Sequence, residues 1–355
     1  PYTTLFRSLV RAVGNAVAVF GIAAIVTWAG YGFEIGAVPG WTATVPIIPS
    51  TLDAIKLPAA THIRVFLSLR EHYDLGHPTF AFGRVSEHGW WWYFPAAFAV
   101  KTPLPTLMLF FGAGVTAIRS TARWISRNEG RAARRQKHTP RPLGAGTPPA
   151  TACLFFFPGL YAVSSLFSTV NIGYRHLLPL LPFLYIGTAW LMLQGLQRRG
   201  AGMGWKLAAV GTLLTWLALS TLIAAPYPLT FFNSIVGGAS EGYKYLVDSN
   251  LDWGQNLWDL ANWMRAHGRD HVYYAHYSPA DPQVYGIVAE CLPPDPLAVD
   301  FAACRPEPGL YAIGATVLQG PYAPDLNTFA WFRSHEPVAK LGHALFVYDV
   351  PRSTT

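Results

Sequence analysis

The chain has 355 residues, of which 52% are hydrophobic, 14% aromatic and only 13% charged, with 13 Trp and a formal net charge of +7. Soluble domains carry about 25% charged residues, so this is the composition of a membrane protein. Most basic residues lie in short connections between apolar runs and not on a folded soluble face, which argues against a nucleic-acid partner.

The first eight residues, PYTTLFRS, resemble the translated end of a sequencing adapter and contain no initiator Met. They are set aside from the fold, and the natural protein is expected to begin upstream, which makes this a C-terminal fragment. Five apolar segments then have the length of a membrane span: Ala12–Phe33, Tyr93–Ile118, Ala150–Ser168, Leu177–Leu196 and Leu207–Ala225. Between the second and third, Arg119 to Arg141 carries eight basic residues against the single acid Glu129. Between the fourth and fifth lie Arg198, Arg199 and Lys206 with no acid. The positive-inside rule places both connections in the cytoplasm. Glu34–Trp92 has four basic residues against five acids, and Tyr227–Thr355 seven against thirteen, so both fall outside. The expected organisation is a membrane domain over 9–226, with an exoplasmic loop at 34–92 and a cytoplasmic loop at 119–149, then an exoplasmic domain over 227–355. TPRPLGAGTPPA, at the end of the basic loop, reads as a flexible linker.

The loop 34–92 is too long for a plain connection. Ala59, Ile63, Phe66 and Leu67 recur in it at helical spacing, with Arg64, Ser68 and Glu71 between them, which predicts an amphipathic helix on the membrane or on its neighbours. The loop closes in GHPTFAFGRVSEHGWWWYFP. Trp90, Trp91, Trp92 and Tyr93 suit an interfacial belt, and His88 sits within the same aromatic segment. Lys101 lies inside the following span, in AVKTPLP, where an ammonium is costly unless it snorkels or meets an anion. Pro103 and Pro105 interrupt helix bonding there, which predicts backbone lining a cavity.

NIGYRHLLPLLP, Asn171 to Pro182, places Arg175 and His176 immediately before the fourth apolar run. A guanidinium fork matches phosphate bidentately; the plain alternative is an interfacial anchor, with Arg snorkelling from the helix end. After the last span comes PYPLTFFNSIVGGASEGYKYLVDSNLDWGQNLWDLANWMRAHG. Asp252 with Gln255 forms a capping-box pattern ahead of a helix whose apolar face is Leu257, Leu260, Ala261 and Met264, stopped by Gly268. Asp252 thus has a structural explanation as an N-cap, whereas Asp248 and Asn250, before the cap, have less of one, and the helix start offers free N–H groups to an anion. Strands are expected at His271–Tyr277, Gly309–Ala315 and Ala344–Val350, with a further helix near Thr328–Ser334, making a small α/β domain. Cys291 and Cys304 fall in a Pro-rich loop where a pairing would contribute about 3 kcal/mol. Cys153 reads as an apolar filler in a span.

The phosphate-binding Gly loop, the GxSxG elbow and HExxH are all absent. His267 and His271 have i,i+4 spacing, but Gly268 ends the helix between them. No cofactor is evident, and a divalent metal stays open. What remains is a convergence of Lys101, Arg175, His176, the WWWY belt and the Asp248–Gln255 segment on one face. Cations walled by aromatic rings at an interface suit a lipid-linked phosphate bearing a polar group such as a sugar.

The stretches HGWWWYFPAAFAVKTPLP, NIGYRHLLPLLPFLYI, FFNSIVGG, YKYLVDSNLDWGQNL, ATVLQG and LFVYDV resemble the bacterial members of the dolichyl-phosphate-mannose–protein mannosyltransferase family, polyprenyl-phosphate-dependent glycosyltransferases of GT-C type. The likeness runs from about residue 80 to the end, and RHLLP together with DSNLDWGQ is its specific part. It implies a partial GT-C bundle in the inner membrane, a polyprenyl-phosphate-linked sugar as donor, and transfer on the non-cytoplasmic side to an acceptor protein, lipid or glycan. It implies that Lys101, Arg175 and His176 serve the carrier phosphate, that His88, Trp90, Trp91 and Trp92 line the donor site, and that Asp248, Asn250 and Asp252 sit near the acceptor. The family's catalytic acid belongs to a first outer loop expected before residue 9. No residue here inherits that role, and the fragment is expected to be catalytically incomplete. Two other readings stay open: a transporter or flippase of a lipid-linked solute, and a membrane-anchored exoplasmic binding module.

Overall fold

A computed structural model describes residues 2–39, 55–135, 149–197, 203–276, 280–292, 306–323 and 325–352. The chain forms two compact units, Pro1–Gly76 and His77–Thr355.

The first unit holds helix α1 (Tyr2–Gly30), the antiparallel pair β1 (Ile35–Ala37) and β2 (Lys56–Pro58), and helix α2 (Ala60–Leu75). The α1 helix starts at Tyr2, within the stretch set aside as an adapter remnant, and ends where Gly32 and Phe33 take positive φ. The amphipathic helix expected in the outer loop is α2. Its start is tied to Glu34, whose carboxylate accepts from the Thr61 N–H and hydroxyl and pairs with Arg64. Those hydrogen bonds hold the Glu34 carboxyl below its ordinary range.

The second unit opens with the hairpin of β3 (Thr79–Ala81) and β4 (Arg84–Ser86), followed by α3 (Tyr93–Lys101), α4 (Leu104–Arg135), α5 (Pro149–Ser165), α6 (Leu181–Gln197) and α7 (Met203–Ala224). Three helices are long and apolar enough to cross a membrane, the windows being Val13–Gly30, Tyr174–Leu196 and Met203–Ala224, with a fourth if a bent pair counts as one span. This differs from the five expected in two places. The second apolar segment breaks between α3 and α4 with a bend of 115°, as Pro103 and Pro105 lead one to expect, because each removes a backbone donor. The third, α5, has 17 residues with Pro158 inside it, short of the roughly 20 that a bilayer core requires. No residue of α7 is buried. A helix apolar all round with most of its surface exposed calls for an apolar surrounding. Helices α4 and α6 pack at small residues, Thr116 lying 3.8 Å from where a Gly195 side chain would begin.

The remainder forms a five-stranded sheet in the order β6-β5-β7-β9-β8, from β5 (Val272–Ala275), β6 (Ala289–Cys291), β7 (Gly309–Gly314), β8 (Ala339–Leu341) and β9 (Leu345–Val350). β5 is parallel to both β6 and β7, while β9 is antiparallel to β7 and β8. The three expected strands are β5, β7 and β9; β6 and β8 are short additions. Cys291 ends β6 and does not lie in a loop, whereas Cys304, and with it the pairing, falls outside the described residues. Cys153 lies in α5, its side chain likewise outside them. Helix α8 (Leu257–Ala266) buries Leu257, Leu260, Ala261 and Met264 against one face of the sheet, as its periodicity requires. The other face packs on α9 (Ala315–Gln319) and α10 (Ala330–Arg333). There Phe332 is fully buried among the rings of Tyr311, Trp331 and Tyr348, and burial pushes the Tyr311 phenol up to about 12.

Phe332→Ala is expected to cost about 3–5 kcal/mol, the usual penalty for emptying a buried aromatic site. Thermal unfolding of the full chain in detergent checks this, and an unchanged midpoint would contradict a single core running through α10.

Candidate functional site

Two motifs far apart in sequence lie against each other along three consecutive residues. The Ser249 hydroxyl donates to the Ile172 carbonyl. Gly173 follows, and any side chain there would overlap the Ser249 hydroxyl, so only glycine lets the strands of chain approach this closely. The Tyr174 N–H then donates to Asn250 Oδ1 at 2.9 Å. NIGYRH is thereby clamped onto DSN.

Asn250 joins a third segment to this pair. Its Nδ2 donates to the Tyr93 hydroxyl at 2.9 Å and to the Val247 carbonyl at 2.8 Å, and its own carbonyl accepts from the Lys101 ammonium. Lys101 also donates to the Leu229 carbonyl at 2.7 Å and lies 4.5 Å from the Phe232 ring centre. An ammonium has three donors, and two of them fasten the end of α3 to the chain beyond α7. Asn233 reinforces that joint: its Nδ2 donates to the carbonyls of Ala99 at 2.6 Å and Thr102 at 3.0 Å. The break in the apolar segment is therefore closed by polar groups of FFNS and DSN.

Arg175 and His176 stand on a 3₁₀ helix, Tyr174–Leu180, which precedes α6. The fourth apolar run therefore begins in the tighter turn, and α6 itself starts at Leu181. Arg175 is exposed, with its guanidinium carbon 5.1 Å from the ring centre of Trp253, the Trp of DSNLDWGQ. It forms no ion pair among the described residues. His176 turns the other way. Its carbonyl accepts from the Tyr161 hydroxyl at 2.8 Å, its ring lies 6.0 Å from that of Phe94, and Nε2 is buried without a hydrogen-bond partner among the described residues. Directly beside it, α3, α5 and the start of α6 enclose an apolar hollow of about 520 Å³ walled by Phe94, Phe98, Ala162, Leu177, Leu180 and Leu184.

The aromatic segment divides. Trp90 and Trp92 stack at 5.1 Å, and the Trp90 carbonyl accepts from Asn171 Nδ2 at 3.0 Å. Gly89, at φ +63°, lies so close to Asn171 that a side chain would clash. These two tryptophans pack against the core, while Trp91 is exposed. His88 is exposed too, and its ring meets neither Arg175 nor His176 among the described residues.

The acidic residues follow a different logic from the expected cap. α8 starts at Leu257, and its cap position is Asn256, so Asp252 is not a helix N-cap. Gln255 instead accepts from the Trp253 N–H at 2.7 Å and donates to the Leu251 carbonyl at 2.8 Å. Asp252 Oδ1 accepts from the Gly254 N–H at 3.3 Å and pairs with His276 Nε2 at 2.7 Å, both side chains being 2% exposed. Asp248, at φ +61°, accepts from the Ser249 N–H and from the Tyr322 hydroxyl, and its own N–H donates to Thr316 Oγ1 at 2.9 Å. His276 follows β5 and Thr316 follows β7, so the Asp252 carboxylate and the Asp248 N–H meet the carboxyl ends of two parallel strands. Ligands of open α/β sheets settle where the chain switches sides, as it does here from β6 to β7; in this chain its own DSNLD segment fills the place.

Sequence reasoning missed His276, Thr316 and Tyr322. His276 carried one available signal, a polar residue closing an apolar strand; Tyr322, in a Gly-Pro turn, carried none. Among the described residues no group of three His, Cys, Asp or Glu is placed to hold a metal ion. The His267 ring stacks on Trp263 at 4.1 Å, while His271 approaches Glu290 at 3.8 Å. Set against known protein families, curated proteins and solved structures, the chain matches none.

Asn250→Ala is expected to leave the Tyr93 hydroxyl and the Tyr174 N–H unsatisfied, at about 1–3 kcal/mol for each buried group. Limited proteolysis at the 171–175 segment should accelerate; unchanged cleavage would mean that the clamp is not held there. For Asp252 and His276, a double-mutant cycle with Asp252→Asn and His276→Ala should return a coupling of roughly 0.5–3 kcal/mol, and additive losses would show two independent residues.

Proposed function

We propose that the chain is the carrier-holding part of a membrane glycosyltransferase, which moves a sugar from a polyprenyl phosphate to an acceptor on the non-cytoplasmic face. The observation that carries this reading is the exposed Arg175 guanidinium, in no ion pair among the described residues, resting on Trp253, with the next residue, His176, and Leu177 leading to an apolar hollow. A phosphate joined to a long hydrocarbon chain needs those two environments side by side. Arg175 supplies a fork for two phosphate oxygens. The isoprenoid chain lies along Phe94, Phe98 and Leu177. Trp253 and Trp91 offer exposed faces on which a sugar ring stacks.

Lys101 plays a supporting part in this reading. Two of its donors brace the α3 end, and its charge adds to the field at the mouth without direct contact. Departure of the carrier phosphate is favoured by fixed positive charge placed where negative charge develops. A carboxylate must take the acceptor hydroxyl's proton. Asp248 and Asp252 are engaged with Tyr322 and His276, so neither is assigned as that base, and no residue of this chain is.

The bent segment at Lys101 has some likeness to the broken helices of transporters. Transporters place the break at the bilayer centre to bind cargo, whereas here its polar groups bond the carbonyls of Leu229 and Asn250 beyond the last span. That favours the transferase reading over a flippase.

In the chain reconstituted in lipid, Arg175→Glu should weaken retention of a labelled polyprenyl-phosphate sugar about tenfold. Arg175→Lys should fall between, because an ammonium keeps the charge and loses the fork. Undiminished donor retention in Arg175→Glu would sink the proposal and leave an anchored binding module.

A further inference from the structure

A second hollow lies toward the other end of α6. α4, α6 and α7 surround about 800 Å³, with Met108, Gly112, Thr116, Met192, Ala209 and Leu213 on its walls. Its size falls in the range of about 300–1,000 Å³ typical of ligand sites. Three cations stand at one end, Arg119 and Arg123 from α4 and Lys206 from α7, and no acid lines it among the described residues. Arg119 follows Leu104 by 15 positions, roughly 22 Å of helix, and Lys206 belongs to the first turn of α7, whose other end leads to the clamp. The cations therefore mark the end of the bundle remote from Arg175. Among the described residues none of them forms an ion pair. The Arg123 Nε donates to the Arg119 carbonyl at 2.9 Å, which holds that side chain back along its own helix toward the hollow.

We propose that this hollow seats one anionic diacyl glycerophospholipid of the surrounding membrane, with its phosphate among Arg119, Arg123 and Lys206 and its acyl chains between α4, α6 and α7. The charge and the shape argue together. Three like charges with no compensating acid repel one another until an anion enters, and a phosphate with its negative charge and several acceptor oxygens meets that need. Basic pockets between membrane helices bind acidic headgroups for this reason. Apart from Thr116 the walls below the cations are apolar, a surface that a soluble anion would leave unused and hydrocarbon chains would fill. A second copy of this chain is a poor occupant. A twofold contact sets the same patch against itself, so the three cations would face three more. The seat is independent of the carrier site, since it lies toward the other end of α6 and contains neither Arg175 nor His176. Its occupant would wedge α7, which has no buried residue of its own, against α4 and α6.

The test is native mass spectrometry of the full chain released from detergent, titrated in parallel with phosphatidylglycerol and phosphatidylcholine carrying the same acyl chains. Phosphatidylglycerol should be retained at least about tenfold better. The combined Arg119→Gln, Arg123→Gln and Lys206→Gln variant should bring it down to the phosphatidylcholine level, while Arg352→Gln, an exposed charge near the C-terminus, should change nothing. Ala209→Trp keeps all three cations and blocks the chains, so it should lower retention of both lipids. Equal retention of the two lipids by the parent chain would overturn the proposal. So would displacement of phosphatidylglycerol by millimolar glycerol phosphate, which would mark a site for a soluble anion, or a delipidated dimer that phosphatidylglycerol fails to dissociate. None of these measurements involves the carrier, so their failure and the failure of the transferase reading are separately visible.

Discussion

The side chain and carbonyl of Asn250 tie together three segments that the sequence keeps far apart. The side chain bonds the Tyr93 hydroxyl and the Tyr174 N–H, and the carbonyl takes the Lys101 ammonium. All of these groups are polar and sheltered from water, so each depends on the others for satisfaction, and a buried network of this kind is favourable only when it is complete. The break between α3 and α4, the 3₁₀ turn bearing Arg175 and His176, and the DSNLDWG segment are thus one joint. Gly173 and Gly89 serve the same joint by having no side chain where Ser249 and Asn171 come closest.

The small sheet gives that joint a rigid base. DSNLD enters the crevice at the carboxyl ends of β5 and β7, where Thr316 accepts from the Asp248 N–H and His276 pairs with the Asp252 carboxylate. The Asp248 carboxylate is held in turn by the Ser249 N–H and the Tyr322 hydroxyl. The same segment ends in Trp253, exposed and set under Arg175. A buried acidic anchor and an exposed aromatic partner lie one residue apart, so the position of the Arg175 cation is linked through a single peptide to the sheet.

Much of this organisation was legible in the residues. The amphipathic helix α2, the apolar face of α8 and the strands β5, β7 and β9 follow from periods of 3.6 and 2. The interruption at Lys101 follows from Pro103 and Pro105. Of the residues expected to converge on one site, Lys101 and Asn250 are in contact, while no bond joins Lys101 to Arg175 or His176 among the described residues. The roles were less legible: Lys101 binds carbonyls, His88 stands apart, and Asp252 pairs with His276 rather than capping a helix. A capping box is a local pattern that any helix start satisfies equally well, and nothing local in DWGQ distinguishes a carboxylate that caps from one that reaches a strand 24 positions on.

The sequence by itself determined the apolar character of the long helices, the bias of basic residues toward particular connections, and the residue types that a phosphate or a sugar would need. Those properties are written in composition and short-range spacing, because hydrophobic burial and proline's missing donor act locally. Only the tertiary structure decided which of those residues remain free to meet a ligand. That depends on whether a long-range partner satisfies each polar group, and such partners, including Tyr322 for Asp248 and Trp253 for Arg175, are chosen by packing across the whole second unit.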